Sequence, residues 1–318
     1  TVGQGGGSEG RLRIDGLGTN LEAGDVVIGE SQLARGELLT TGGASASSRN
    51  LLLGDEGFGH LLMSGDGTTW DVMGTLTLGG RNLGLLKVLD GSALTSRFIV
   101  IGDQAESYGQ ASITGQGSRL RASQALSVGR SGHGELIVAD GGELAMADAS
   151  GVLNLAEHAG SAGVLSVGRA GWDGAFADAQ GSGRLFVGEI AFGAGDGWLT
   201  FNHTDLDYRL GPRLSGAGRI EAAAGRTVLT ADSGGWRGLA MIGGHGSDAE
   251  LAIAGRFGGD LNILAGGALS GSGTVTGGVH IASGGRLIGQ GGQGGQAGRA
   301  AGDRPPRRRR RPGARRRG

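Results

Sequence analysis

The sequence predicts an all-β chain folded as a right-handed parallel β-helix of about 11–12 coils of roughly 25 residues each. Three landmarks sharing one period carry this prediction. The first is an apolar-x-apolar-Gly signature: Val26-Val27-Ile28-Gly29, Leu51-Leu52-Leu53-Gly54, Leu76-Thr77-Leu78-Gly79, Ile99-Val100-Ile101-Gly102 and Leu126-Ser127-Val128-Gly129. The second is a glycine that opens each unit, at Gly36, Gly59, Gly84, Gly109 and Gly134. The third is an apolar anchor midway between them, at Trp70, Leu94, Leu120 and Leu144.

Each unit reads as three short strands separated by Gly, Asp, Asn and Ser turns. In the unit from Gly109 to Gly129, Ala111-Ser112-Ile113 alternates and Gly115-Gln116-Gly117-Ser118 turns. Leu120-Arg121-Ala122 and Leu126-Ser127-Val128 supply the other strands. Alternation over three to five residues is strand-like, and no window sustains a helical period. One such triplet cannot bury its apolar side chains alone, whereas stacked units line them into a continuous interior. About five buried aliphatic side chains per coil, at roughly 1.5–3 kcal/mol each, make an ample core. Much of that gain offsets chain entropy. Propellers need longer blades with aromatic signatures, and 4 Trp, 2 Tyr and 7 Phe in 318 residues speak against them.

Glycine, at 73 residues, also raises collagen and disorder. Collagen fails for want of a Gly-X-Y register and proline. Disorder conflicts with 38% hydrophobic residues arranged in short alternating runs. The net charge of −1 conceals two regions: residues 299–318 carry ten Arg and one acid, so the body is net acidic by ten. Zero cysteines exclude disulfides and Cys-based zinc sites. No apolar run is long enough for a membrane-spanning helix. The start at Thr1-Val2-Gly3 resembles the end of a repeat unit, so the chain reads as a cut from a longer protein.

From Leu199 the unit changes. Leu199-Thr200-Phe201-Asn202-His203-Thr204-Asp205, Leu214-Ser215-Gly216-Ala217-Gly218 and Ala224-Gly225-Arg226-Thr227-Val228-Leu229-Thr230-Ala231-Asp232-Ser233, leading to Trp236, resemble the C-terminal part of bacterial autotransporter passengers. Leu269-Ser270-Gly271-Ser272-Gly273-Thr274-Val275, with Ala282-Ser283-Gly284-Gly285-Arg286-Leu287, is similar to their passenger-associated transport repeat. The resemblance implies a β-helix carried through the periplasm and displayed outside the cell by a C-terminal outer-membrane β-barrel. That barrel would be its first partner, and the chain a fragment lacking both it and a signal peptide. The expected organisation is regular coils over 1–198, transport-repeat coils over 199–289 and a disordered Gly/Arg-rich tail over 290–318. The junction after Gly289 resembles a shifted reading frame, with a genuine basic tail as the alternative.

No motif for catalysis, cofactor or metal stands up, and none of the three is expected. Gly6-Gly7-Ser8-Glu9-Gly10 matches a nucleophile pattern at the frequency chance allows, without strand-to-helix context. Asp232-Ser233-Gly234-Gly235 resembles a serine-protease loop in letters only and reads as a turn. Gly5-x-Gly7-x-x-Gly10 precedes no helix. The single lysine, Lys87, lies outside any phosphate-loop motif. Isolated acids such as Asp55 and Asp66 do not form calcium nonapeptides, and His60, His133, His158, His203, His245 and His280 are never at ligand spacing. The Arg tail has no aromatic or folded support for nucleic-acid binding. The expected function is a non-catalytic stalk acting in adhesion, with host-surface or matrix glycans or proteins as partners, and in its own folding-driven secretion. The alternative is a β-helical carbohydrate-active enzyme, which needs clustered carboxylates in a groove.

Overall fold

A computed structural model describes residues 1–147, 150–169 and 178–289. Every strand pairing named in its ladders is parallel, and twelve strands stack in chain order along one face: Glu9–Asp15, Arg35–Thr41, Phe58–Ser64, Leu83–Leu89, Tyr108–Thr114, His133–Ala139, Ala162–Gly168, Asp196–Asn202, Arg219–Leu229, Leu239–Ile242, Asp260–Ile263 and Val279–Ile281. A second sheet stacks Asn20–Ile28, Ser45–Leu53, Thr69–Leu78, Ala93–Ile101 and Arg119–Val128 on another side. The architecture is therefore a parallel β-solenoid, on the order of 50 Å long at the usual strand spacing.

Register locks the apolar columns. Leu38, Leu61, Leu86, Ala111, Leu136, Leu165, Leu199, Ile220, Ala240 and Leu261 pair coil to coil and are all buried. The midway anchors form a matching column, Ala46–Trp70–Leu94–Leu120–Leu144. Because successive side chains of a strand face opposite ways, each second residue enters this interior.

The glycine landmarks explain the period. Gly54 has a φ of 74°, and a Cβ there would land under 3.0 Å from the Leu83 carbonyl of the next coil. Gly84, which opens that coil, would bring its own Cβ under 3.0 Å from the Leu53 oxygen and the Gly79 nitrogen. Corner glycine and opening glycine thus pack backbone on backbone, and neither tolerates a side chain.

Two features differ from the expected unit. Through Val128 the second and third strands are one bent strand of 9 or 10 residues, because pairing continues across bulges such as Ser48/Leu51. They part at Glu143–Met146 and Val152–Leu155. The coils also shorten: Arg219 pairs with Leu239, Leu239 with Asp260, and Leu261 with Val279, steps of 20, 21 and 18 residues. Trp236 fills this part of the core against Phe257 and Phe192, at centroid distances of 4.9 and 6.0 Å. The expected tail over 290–318 lies outside the described residues.

Candidate functional site

With the interior filled, chemistry is left to the outward half of each strand. On the twelve-strand face, Arg11, Glu37 and His60 occupy one column, with Arg11 Nε 2.9 Å from Glu37 and His60 Nδ1 3.7 Å from it. Phe58 lies beside them under the Arg35 guanidinium, 5.8 Å from the ring centroid. Two coils beyond His60, the Tyr108 hydroxyl donates to Glu135 of the following coil at 2.7 Å, and Gln110 Nε2 donates to the same carboxylate oxygen at 2.5 Å. The Tyr108 and His133 rings stack at 4.7 Å. Burial pushes the Tyr108 phenol up, aided by Glu135, and pushes the His133 imidazole down.

On the second face, acids and arginines alternate up the stack. Glu143 takes Arg119 Nε at 2.8 Å from one neighbouring coil and Arg184 at 3.0 Å from the other. Glu189 binds Arg213 and Ser215, and Arg49 clasps Asp25 at 3.0 and 2.7 Å. Burial works to raise the Glu189 carboxyl, yet its Ser215 and Arg213 partners outweigh that and hold it below the ordinary range. These pairs were missed in the sequence, although the signal was there: Arg119–Glu143, Arg213–Glu189, Arg226–Glu250 and Arg49–Asp25 are each one coil, 24 residues, apart.

The residues weighed for catalysis are dispersed. Ser8 donates to the Gln4 carbonyl at 2.8 Å in a turn, and a strand, Glu9–Asp15, follows it. Ser233 is buried and its Oγ accepts from the Leu214 nitrogen at 2.9 Å, while Asp232 Oδ1 accepts from Gly234, the geometry of an inter-coil turn. Lys87 lies exposed on a strand. Asp55 faces Arg81 at 3.6 Å, and Asp66 sits in an exposed turn. His60 and His133 do share the outer face, as their places beside opening glycines suggested, but in coils three apart. His158 contacts Ser131 at 3.1 Å, His203 contacts Thr227 at 2.9 Å, His245 contacts Glu221 at 2.6 Å, and His280 is exposed. No group of three or more metal-ligating side chains gathers among the described residues.

No known family model matches the chain, and no curated protein matches it. Among solved structures, a TibC-catalysed, hyper-glycosylated TibA fragment is similar over 89% of this chain and 86% of that one, with 17% identity and a TM-score of 0.41.

Proposed function

We propose that this chain is a passenger-like stalk that works by binding at its outer faces rather than by catalysis, exported and displayed outside the cell. The observation that carries the reading is the continuous run of filled apolar columns. Those columns fill the interior with buried apolar side chains, and the two long, ion-paired strand faces are left for contact. The resemblance of residues 199–289 to autotransporter passengers supports the same reading. So does the pairing of the outward acids: Glu37, Glu135, Glu143 and Glu189 each sit against cationic or hydrogen-donating partners. A glycosidase needs one carboxylic acid and one free carboxylate flanking a bond.

The test is a panel of polysaccharides and matrix proteins read for both retention and product release. Retention of a panel member with no new reducing ends is the expected result. Cleavage of a polysaccharide by the folded chain would put the carbohydrate-active reading in its place.

A further inference from the structure

We propose that a track along the second face binds an acidic polysaccharide, a sugar chain bearing sulfate or uronate groups. The track runs up five consecutive coils through Met73, Arg97, Arg121, Ala145 and Phe186, and the inference rests on the binding reading above. Register places Asp71, Thr95, Arg121, Ala145 and Phe186 in one outward column, with Met73 and Arg97 two residues further along their strands. Asp71, Met73, Thr95, Arg97, Arg121 and Ser123 line a surface depression there.

Three observations converge. First, charge inverts locally. The body is net acidic, whereas the strands Thr69–Leu78, Ala93–Ile101, Arg119–Val128, Glu143–Met146 and Arg184–Phe186 carry Arg97, Arg119, Arg121 and Arg184 against only Asp71 and Glu143. Arg119 and Arg184 are spent on Glu143, but Arg97 and Arg121 have no carboxylate partner among the described residues. Second, Arg97 is held in place: with the Gln124 amide turned so that its oxygen faces the guanidinium, which has only donors to offer, that oxygen accepts from Nε at 3.0 Å and Nη2 at 3.1 Å, and Nη1 has no partner among the described residues. Among the described residues, Arg121 makes only a long contact of 3.5 Å, to the Ala147 carbonyl. A positioned guanidinium fork suits sulfate or carboxylate oxygens. Third, the track is flanked by exposed apolar side chains, Met73 at 60% and Phe186 at 48% exposure. Most other large apolar side chains among the described residues lie inside, and these two offer apolar surface for the C–H faces of sugar rings. The coil spacing of about 4.8 Å carries the track over roughly 19 Å, room for several linked sugars. Double-stranded nucleic acid fits less well: it presents a charge about every 1.7 Å of axis, whereas along this track only Arg97 and Arg121 lack a carboxylate partner among the described residues.

Ten arginines within residues 299–318 would attract any polyanion by charge alone, so total binding is a poor readout. Met73 supplies a local one. The full chain is exposed to hydroxyl radicals with and without heparin, hyaluronan, neutral dextran or polyglutamate, and oxidation of Met73 is followed by mass spectrometry. Heparin or hyaluronan is expected to slow that oxidation at least several-fold, dextran and polyglutamate to leave it unchanged. The Arg97→Ser/Arg121→Ser double variant is expected to abolish the protection while oxidation of Met63, buried in the core, stays unchanged as the check on folding. Protection by heparin alone assigns sulfate, and by hyaluronan as well, carboxylate. Unprotected Met73 in chain that has bound heparin overturns the site, as does protection equal in the double variant or given by polyglutamate. Failure here with retention of a matrix protein in the panel above would leave the binding reading standing. Protection accompanied by cleavage would keep the site and remove the non-catalytic reading.

Discussion

Backbone-on-backbone contact at the glycine corners makes single methyl groups expensive. Gly84→Ala forces a Cβ against the Leu53 oxygen and Gly79 nitrogen, so it should destabilise by about 1–3 kcal/mol or more. Gly24→Ala meets nothing within 4 Å and should stay within about 0.5 kcal/mol. Denaturant midpoints of the two variants check the contrast. The histidines set a pH dependence of definite sign. Burial lowers His60, His133 and His203 from the ordinary imidazole value, with Lys87 adding to the effect at His60. Between the lowered values and about 6.5, the unfolded chain then binds more protons than the folded one. Stability is full above that window and falls as pH drops through it. The denaturation midpoint should be lower at pH 5.5 than at pH 7.5, and His60→Gln should flatten the difference. Carboxylates held down by their partners, such as Asp25 by Arg49 and then Asn50, lose their contribution only at more acid pH.

Strands matter here as rungs of columns rather than as separate units. Leu86 pairs with Leu61 below and Ala111 above, so Leu86→Ala should cost about 2–5 kcal/mol. Its effect should be local, since each coil of a solenoid contacts only its neighbours. Hydrogen exchange should quicken in Phe58–Ser64 and Tyr108–Thr114 while Asp260–Ile263 keeps its protection. Equal loss across the chain would mean the coils do not act as neighbours in a stack. The columns were legible in the sequence because glycine spacing fixes the register and alternation fixes the face. Two things were not. The fusion of Ser45–Leu53 into one bent strand depends on pairing across a bulge, which alternation alone does not reveal. The outer-face sites depend on residues a coil apart, such as Arg97 beside Gln124, that only the register brings together.

For the whole molecule, coils that step by about 25 residues up to His133 lengthen to steps of 29 and 34, and from Trp198 onward shorten into a stack built on the Phe192–Trp236–Phe257 cluster. If the chain is a passenger whose C-terminal coils fold first outside the cell, residues 200–289 should be the last to yield to protease. Earlier cleavage there than in residues 9–128 would count against that order. The most direct measurement of the passenger reading is display. The chain is fused between an export signal and an outer-membrane β-barrel, and intact cells are treated with protease added from outside. The account predicts that the β-helix is cleaved or shaved from the surface. A chain that stays protected in the periplasm, while the barrel itself is assembled, would contradict it.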